Sequence, residues 1–261
     1  MTPGVFDPGP ASAALVAARR GRRLVGLPAA IAPRDLADGI AVQVAMARLS
    51  GSHPPAGFKI GATARHMQTY LGLPGPVAGF MAEASLHGTG STLSLDQFQH
   101  PGVECELAVV LARDLPPGPC STAQAAAAVG DLMCAIEIVE NRYGPLDQLD
   151  PATLVADQVF HAAAVLGAPY PDWPGIDLIG TVGRILVNGQ ERGSGRGGDL
   201  LGDPMAALAW LAGSAEAAAF GGLRAGQAVM LGSVTPPVWL DGAARIEVQF
   251  TSLPPVVLHL V

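Results

Sequence analysis

The sequence has little charge, few cysteines and no apolar run long enough to span a bilayer. Only 14% of its 261 residues are charged, whereas 49% are hydrophobic, and this balance argues against disorder and for a large buried core. The first ten residues lack the basic and apolar segments of a signal peptide. Because a membrane span needs about 20 consecutive apolar residues, we expect no membrane partner.

Basic residues are too few to indicate nucleic acid as the main partner. Lys and Arg total 15 against 22 Asp and Glu, which gives a formal net charge of −7. Cys105, Cys120 and Cys134 show no metal-finger spacing and favour a reduced, cytoplasmic setting. The low charged fraction also favours a homo-oligomer, although a composition rich in Ala, Gly and Pro would produce the same statistic.

Two helices are predicted near the amino terminus, at residues 11–24 and 34–49, where apolar residues recur at helical spacing. The first ends in a basic cluster that suits the helix dipole and that we expect to be solvated, with an anion site as the alternative. These helices form a predicted N-terminal helical segment, residues 1–55, ahead of a β-rich domain at residues 56–261.

An apolar, β-branched stretch at residues 101–111 is interrupted by two carboxylates, Glu104 and Glu106. Side chains two residues apart share one face of a strand, so both carboxylates point the same way. Two buried carboxylates repel each other unless a positive group lies between them. A hard divalent cation is the simplest such group for oxygen ligands.

A second apolar strand is predicted at residues 132–142 and contains Glu137 in its middle. Glu140 lies at the exit of this strand, and we expect it to be solvated. Three carboxylates without a His or Cys partner indicate Mg²⁺ or Mn²⁺ rather than Zn²⁺. The alternative is that one or more of them pairs with an arginine such as Arg142.

Two further charged residues stand in apolar surroundings. Lys59 lies in Gly57-Phe-Lys-Ile-Gly61 and is either an edge-strand lysine that faces water or a catalytic or substrate-anchoring ammonium. Asp157 follows an apolar passage and either caps a turn or reaches the metal site.

The carboxy-terminal third reads as strands and turns. Alternation predicts a strand at residues 181–187, and Asn188-Gly189 is a strong hairpin signal. The glycine-rich residues 193–198 lack the Lys and following helix of a phosphate-binding loop, and we interpret them as a flexible or tight-turn segment. Ser233 and Thr235 lie at a strand end, where a hydroxyl can donate to a substrate or simply complete a turn.

The order of four motifs resembles the 2-keto-4-pentenoate hydratase family of the fumarylacetoacetate hydrolase superfamily. That family also includes 2-oxohepta-3-ene-1,7-dioate hydratase and the 4-oxalocrotonate decarboxylase type. The resemblance rests on the Lys59 motif, the Glu-x-Glu strand, Ala135-Ile-Glu-Ile138 and Ala156-Asp157. It implies an α+β fold, with a mixed β-sheet body of the fumarylacetoacetate hydrolase C-terminal type and an N-terminal helical cap.

The resemblance also implies roles for individual residues. Glu104, Glu106 and Glu137 would bind Mg²⁺ or Mn²⁺ in a homo-oligomer. Lys59 would be the active-site lysine, and Asp157 would be a second catalytic residue near the substrate.

Two segments of this chain depart from the family pattern. The run Gln158-Val-Phe-His161 after Asp157 is bulkier than in relatives and adds an imidazole, and Pro236-Pro237 follows the Gly-Ser-x-Thr segment where some relatives carry Arg-Pro. We place His161 with Ser233 and Thr235 among the candidate substrate-binding residues, and packing is the alternative for His161.

The expected activity is that of a divalent-metal-dependent hydratase in aromatic catabolism. It would add water to a small 2-hydroxy-2,4-dienoate and form a 4-hydroxy-2-oxo acid. The alternatives are a decarboxylase of 2-oxo-3-enedioates and a non-catalytic or C–C hydrolase member of the superfamily. A hydrolase needs a base that activates water, and no histidine is expected beside the metal motifs.

Overall fold

The computed structural model describes residues 5–19, 26–145 and 149–261. Its α-helices, in chain order, are α1 Gly9–Ala18, α2 Leu36–Leu49, α3 Arg65–Tyr70, α4 Thr122–Ala128, α5 Pro151–Ala156, α6 Pro204–Ala212 and α7 Ala215–Ala219. Its strands are β1 Gly57–Gly61, β2 Val77–Met81, β3 Leu86–Gly88, β4 Ser91–Leu93, β5 Pro101–Leu111, β6 Val129–Glu140, β7 His161–Leu166, β8 Val182–Val187, β9 Gln190–Arg196, β10 Ala228–Ser233, β11 Val238–Trp239, β12 Ala244–Phe250 and β13 Val256–Leu260. None of the described helices is long and apolar enough to cross a membrane.

The strands form two sheets, which confirms the predicted α+β class with a mixed sheet. The larger sheet has the order β2-β1-β10-β5-β6-β7-β3, with β11 paired to β5. Its β1–β10 and β3–β7 pairs are parallel, whereas the long central pair β5–β6 is antiparallel. The smaller sheet has the order β4-β13-β12-β8-β9.

The two faces of the larger sheet differ in side-chain size. One face carries large apolar residues such as Leu107 and Ile136, which pack against the smaller sheet in the main hydrophobic core. The other face carries Ala108, Ala135 and Met133, which belong to a separate buried cluster of alanines and methionines. Because side chains alternate along a strand, Glu104, Glu106 and Glu137 lie on this second, small-residue face.

The larger sheet curls so that its small-residue face lies on the inside. Gln158, which precedes β7 at one end of the sheet, donates from Nε2 to the carbonyl oxygen of Phe80 on β2 at 2.7 Å. Gly79 on β2 faces this contact, and a Cβ there would lie 2.5 Å from the Gln158 carbonyl oxygen. The missing side chain therefore lets the two ends of the sheet approach each other.

A buried amide on α2 and an apolar residue on α1 connect the two N-terminal helices to the body. Gln43 on α2 donates to the carbonyl oxygens of Ala78 at 2.8 Å and Val155 at 2.6 Å, and it accepts from the Phe80 amide at 3.2 Å. Leu15 on α1 belongs to the main core. The helices predicted at residues 11–24 and 34–49 are thus confirmed, apart from residues 20–25, which lie outside the described ranges. The division into segments 1–55 and 56–261 stays a prediction.

The prediction of a flexible or tight-turn segment at residues 193–198 is wrong. Residues up to Arg196 belong to β9, the second strand of the hairpin whose turn, Asn188-Gly189, has positive φ at both positions. The glycines serve close packing, because a Cβ on Gly195 would lie 1.9 Å from the Val234 carbonyl oxygen. Strand β9 therefore lies directly against the segment that contains Ser233 and Thr235.

Candidate metal centre

The three glutamates predicted to bind a metal meet on the concave face of the larger sheet. Glu104 on β5 pairs directly with Glu137 on β6, and Glu106 lies two residues further along β5. One carboxylate oxygen from each lies within 4.8 Å of the others. Strand alternation predicted the shared face, and strand pairing brings the third carboxylate to it.

Two of these carboxylates each have one oxygen held by the protein and one oxygen without a partner. Glu106 accepts the Gly232 amide hydrogen on Oε2 at 3.0 Å. Glu137 Oε1 lies 2.9 Å from His161 Nδ1 and 3.4 Å from Lys59 Nζ. Among the described residues, nothing hydrogen-bonds the buried Glu106 Oε1 or Glu137 Oε2. Unpaired buried carboxylate oxygens are unfavourable, so the set fits a hard divalent cation with oxygen ligands.

The cluster is electrostatically strained without a cation. Burial, and then repulsion from Glu137, raises the pKa of Glu104 to about 8. Burial raises the pKa of Glu106 well above its usual range as well. Burial also acts to raise the pKa of Glu137, but Lys59 and His161 outweigh it and lower that pKa. Glu137 is therefore the most strongly anionic member.

Lys59 is buried beside this cluster, so the interpretation as an edge-strand lysine facing water is wrong. Its strand β1 lies between β2 and β10, and the residue is 2% exposed. Gly61, two residues further along β1, lets Val159 pack closely beside the lysine, because a Cβ there would lie 2.7 Å from a Val159 methyl group. The strand thus delivers one positive charge to three carboxylates.

A cavity of about 370 Å³ opens beside Glu104. It lies between the β1–α3 segment and the segment that follows β10. Its lining residues are Ile60, Gly61, Ala62, Thr63, Ala64, His66, Met67, Glu104, Asp199, Ser233, Val234, Thr235, Pro236 and Pro237. The lining is mostly apolar with a few polar groups, which is typical of a site for a small organic molecule.

Ser233 and Thr235 both line this cavity, as the strand-end position suggested. The Ser233 hydroxyl donates to the Thr235 carbonyl oxygen at 2.7 Å and so helps to hold the turn. Thr235 is 6% exposed, and its Oγ1 has no hydrogen-bond partner among the described residues. Thr235 therefore has the hydroxyl that is free to bond a ligand, whereas Ser233 can still accept.

Asp157 is placed in a buried ionic network and does not line the cavity. It forms salt bridges with Arg142 and, at 3.0 Å, with Arg19, and it accepts from the Tyr143 hydroxyl at 2.8 Å. Burial acts to raise the pKa of Asp157, but the two arginines and these hydrogen bonds outweigh it and lower that pKa. Its predicted catalytic role stays a prediction.

The expectation that Glu140 is solvated is wrong, and the same expectation for the basic cluster is wrong for Arg19. The other members of that cluster, Arg20, Arg22 and Arg23, lie outside the described residues. Glu140 is buried and pairs with Arg142 at 2.6 Å, because β6 extends to Glu140 and keeps it inside. Arg142 thus pairs with Glu140 and Asp157, not with the three glutamates. Arg19, at the basic end of α1, is also not simply solvated, because it bonds Asp157.

His161 lies against the metal cluster, so the expectation that no histidine stands beside the metal motifs is wrong. Its Nδ1 contacts Glu137, and its Nε2 lies 3.1 Å from the Ser85 hydroxyl. It does not line the 370 Å³ cavity. Burial lowers the pKa of His161, although Glu137 opposes this shift. The three residues before it, Gln158, Val159 and Phe160, all have positive φ, which is a strained conformation for residues other than glycine.

Sequence reasoning missed several cavity residues. His66 and Met67 come from the first turn of α3, directly after the strand that carries Lys59. Asp199 comes from the segment after β9. The position of His66 a few residues beyond Lys59 was a usable signal. No signal in the sequence marked Asp199, because only the folded hairpin brings it to the cavity.

The chain is similar in sequence to one protein family and to enzymes of known activity. The profile of the family described as fumarylacetoacetate (FAA) hydrolase C-terminal matches residues 59–261. A 2-keto-4-pentenoate hydratase from Burkholderia vietnamiensis (strain G4 / LMG 22486) is 31% identical over 205 residues, which cover 75% of this chain and 78% of the relative. A 4-oxalocrotonate decarboxylase from Pseudomonas putida is 27% identical over 198 residues, with coverage of 76% and 74%.

A solved structure shows the same fold over nearly the whole length. The 4-oxalocrotonate decarboxylase from Pseudomonas putida G7, complexed with magnesium and adipate, superposes with a TM-score of 0.89 at 23% identity and 97% coverage of both chains. The profile match spans most of the chain, and the hydratase from Burkholderia vietnamiensis exceeds 30% identity. The chain therefore belongs to the fumarylacetoacetate hydrolase C-terminal family.

Proposed function

We propose that the protein is a Mg²⁺- or Mn²⁺-dependent hydratase that adds water to a small 2-hydroxy-2,4-dienoate and forms a 4-hydroxy-2-oxo acid, as expected in aromatic catabolism. The observation that carries the proposal is the set of three glutamates, two of which have a buried, unpaired oxygen, beside a cavity of about 370 Å³. The hydratase from Burkholderia vietnamiensis supports this substrate class.

Glu104, Glu106 and Glu137 would hold the cation. When bound, it would supply Lewis-acid stabilisation of the negative charge that develops on the C2 oxygen of the substrate. Three carboxylates and one lysine carry a net charge of −2 when all are ionised, so a divalent cation brings the cluster to neutrality. Oxygen-only ligands favour Mg²⁺ or Mn²⁺ over Zn²⁺.

The protein residues in and beside the cavity have separate tasks in this proposal. Ser233 and Thr235 line the cavity, whereas Lys59 lies behind the lining, next to Glu137. The Lys59 ammonium, beside Glu137, hydrogen-bonds the C2 oxygen or moves a proton during ketonisation. The unpaired Thr235 hydroxyl orients the substrate, and Ser233 holds the turn that presents Thr235. The apolar lining lowers the amount of water around the reacting carbons.

The charge of the cavity favours a monocarboxylate, and hence the hydratase over the decarboxylase. The described lining residues include two acids, Glu104 and Asp199, and neither Lys nor Arg. A second carboxylate on a diacid would enter a cavity whose described lining offers no lysine or arginine to pair with it. His66 is the lining residue that supports the decarboxylase as a second candidate, because a protonated imidazole there could pair with a distal carboxylate.

A C–C hydrolase is less well supported. The obvious base would be His161, yet both of its ring nitrogens already face protein partners, Glu137 and Ser85. Neither nitrogen is therefore placed to activate a water molecule beside a substrate.

A substrate panel tests the proposal. Purified protein with Mg²⁺ is given a 2-hydroxydienoate, a 2-oxo-3-enedioate or an acylpyruvate, while ultraviolet absorbance and CO₂ are followed. We expect loss of the dienoate absorbance without CO₂ release, and no such loss with chelator. The variant His66→Ala tests the second candidate, because it should lower turnover of the diacid more than turnover of the monocarboxylate.

Other outcomes separate the alternatives. The decarboxylase would be established if CO₂ release from the 2-oxo-3-enedioate were faster than turnover of the 2-hydroxydienoate and if His66→Ala slowed that release. Cleavage of the acylpyruvate would establish the hydrolase. Saturable Mg²⁺ binding without turnover of any 2-oxo acid would favour a non-catalytic member that keeps the metal as a structural element.

We also propose that the protein is a cytoplasmic homo-oligomer. The three cysteines are free, which suits a reducing compartment. Apolar side chains of Leu49, Tyr70 and Ile179 are more than half exposed, and such residues suit subunit contacts. Light scattering coupled to size-exclusion chromatography tests the assembly, and a monomer at micromolar concentration would contradict it.

A further inference from the structure

We infer that His161, held by Ser85, is a positioning residue that determines which oxygen of Glu137 is presented to the cation. This role differs from the substrate contact predicted for His161 from the sequence. It rests on the proposed function, since it assumes that Glu137 is a metal ligand.

The contacts of Glu137 are asymmetric. Its Oε1 faces two nitrogen atoms, His161 Nδ1 at 2.9 Å and Lys59 Nζ at 3.4 Å. Its Oε2 has no hydrogen-bond partner among the described residues. Two donors on one oxygen fix the carboxylate rotamer and leave the other oxygen for a ligand bond. Lysine alone would do this poorly, because an ammonium on a flexible stem makes a less directional contact than a packed imidazole ring.

The imidazole ring is itself fixed at its other edge. Nε2 of His161 lies 3.1 Å from the Ser85 hydroxyl, and that hydroxyl also lies 2.8 Å from the Ala82 carbonyl oxygen. His161 is 1% exposed, so the ring cannot turn into solvent. The carboxylate at Nδ1 selects the tautomer with its hydrogen on that nitrogen, in the manner of outer partners that orient metal ligands. Nε2 is then an acceptor, and the single Ser85 hydroxyl hydrogen is donated either to Nε2 or to the Ala82 carbonyl oxygen.

The backbone that carries His161 is also held in place. Arg19 Nη1 donates to the His161 carbonyl oxygen at 2.9 Å, and Arg19 pairs with Asp157. The pairing register between β6 and β7 shifts just before Val139, which faces His161. This irregularity follows the strained residues 158–160 and lets the ring point toward Glu137. Strain of this kind persists where the surrounding structure fixes it, often beside a functional site.

Simple packing is the competing interpretation, and variants of His161 separate the two. His161→Leu fills space without a donor, whereas His161→Asn places an N–H near the position of Nδ1. Mn²⁺ and Mg²⁺ dissociation constants, measured by titration calorimetry without substrate, give a readout that does not depend on turnover. His100→Leu, at an exposed imidazole stacked on Trp239, is the matched control.

We expect His161→Leu to weaken Mn²⁺ binding about 10- to 100-fold, the range seen when a partner of a metal ligand is removed. His161→Asn should restore affinity to within a few-fold of wild type, and Ser85→Ala should cause a loss smaller than that of His161→Leu. His100→Leu should leave the affinity unchanged. If His161→Leu does not fold, His161→Gln, which lacks a donor at the Nδ1 position, should show the same weakening.

Wild-type affinity in folded His161→Leu would overturn the inference, and so would His161→Asn binding as weakly as His161→Leu. Glu137→Gln distinguishes this failure from failure of the proposed function. If Glu137→Gln loses Mn²⁺ affinity while His161→Leu keeps it, the metal site stands and the positioning role is wrong. Wild-type protein that binds neither ion would overturn the proposed function and this inference together.

Discussion

The substitution Asp157→Asn separates a structural from a catalytic role for this carboxylate. In the structure Asp157 is 1% exposed and neutralises two arginines, Arg19 and Arg142. Asparagine keeps the shape but removes the negative charge. Arg142, which is 2% exposed, would then keep only Glu140 as a counter-charge. Arg19 would lose its ion pair with Asp157.

The expected loss of stability is large. Removing one partner of a buried ion pair destabilises a protein by about 3–5 kcal/mol, out of a total free energy of unfolding of about 5–15 kcal/mol. For a chain of this size, that corresponds to a fall in Tm of roughly 6–20 °C. The matched control Glu191→Gln removes an exposed ion pair with Arg184, and such pairs contribute no more than about 1 kcal/mol.

Denaturant and thermal unfolding of both variants, compared with wild type across pH, provide the assay. The pKa of Asp157 is lowered below its usual 3.8 in the folded protein. Its contribution is therefore fully present above pH 3.8 and is lost as the pH falls through the folded value. The difference between wild type and Asp157→Asn should accordingly be constant near neutrality and shrink in acid.

A different pattern would refute this reasoning. If Asp157→Asn unfolds within about 1 kcal/mol of wild type at pH 7, the network contributes little to stability. If that stable variant also loses turnover, Asp157 acts in the chemistry, as the family resemblance implies. A large fall in stability with near-normal turnover below the unfolding temperature would instead assign Asp157 a structural role.

Three further predictions follow from the site and the curled sheet. Glu106→Gln should abolish metal-dependent turnover. The metal-free variant should nevertheless unfold at a higher temperature than wild type, because burial raises the pKa of Glu106 and its ionised form therefore destabilises the fold. Unchanged turnover in the presence of chelator would contradict the predicted role of Glu106. Lys59→Ala should lower kcat about 10²- to 10⁴-fold and weaken Mg²⁺ binding far less; an equal loss of both, measured by kinetics and calorimetry, would make Lys59 structural. Gly79→Ala should destabilise the protein by about 1–3 kcal/mol in a denaturant titration, because its Cβ would lie 2.5 Å from the Gln158 carbonyl oxygen. The control Gly75→Ala should be neutral in the same titration, because no atom lies within 4 Å of its Cβ.

The metal cluster was the most predictable part of the site because its geometry is local. Glu104 and Glu106 share a face in any regular strand. Glu137 stands out because a carboxylate is rare in an otherwise buried strand. What alternation could not supply is the pairing register, which depends on contacts between distant parts of the chain. The structure adds that register and places Glu137 directly opposite Glu104.

The parts that sequence reasoning missed depend on contacts between distant segments. Glu140 was expected in water because it lies near a loop, but Arg142 and the end of β6 keep it buried. Residues 193–198 were expected to form a flexible or tight-turn segment because glycine is common in turns, whereas Gly195 serves close approach to Val234. His161 gave no periodic signal, since the irregular segment before it sets its direction.

These observations explain why the face that carries the glutamates is built from alanine, glycine and methionine. Placing three carboxylates together, two of them buried, is unfavourable, and the raised pKa of Glu104, about 8, reflects that cost. A curled sheet with alanines directly opposite Glu106 and Glu137 can bring Lys59 and the glutamates together without filling the space a cation needs. The large apolar face on the other side, which packs against the smaller sheet, supplies the stability that offsets this cost. Substitutions that enlarge the inner face, as in Gly79→Ala, should therefore damage the protein more than their change in volume alone suggests.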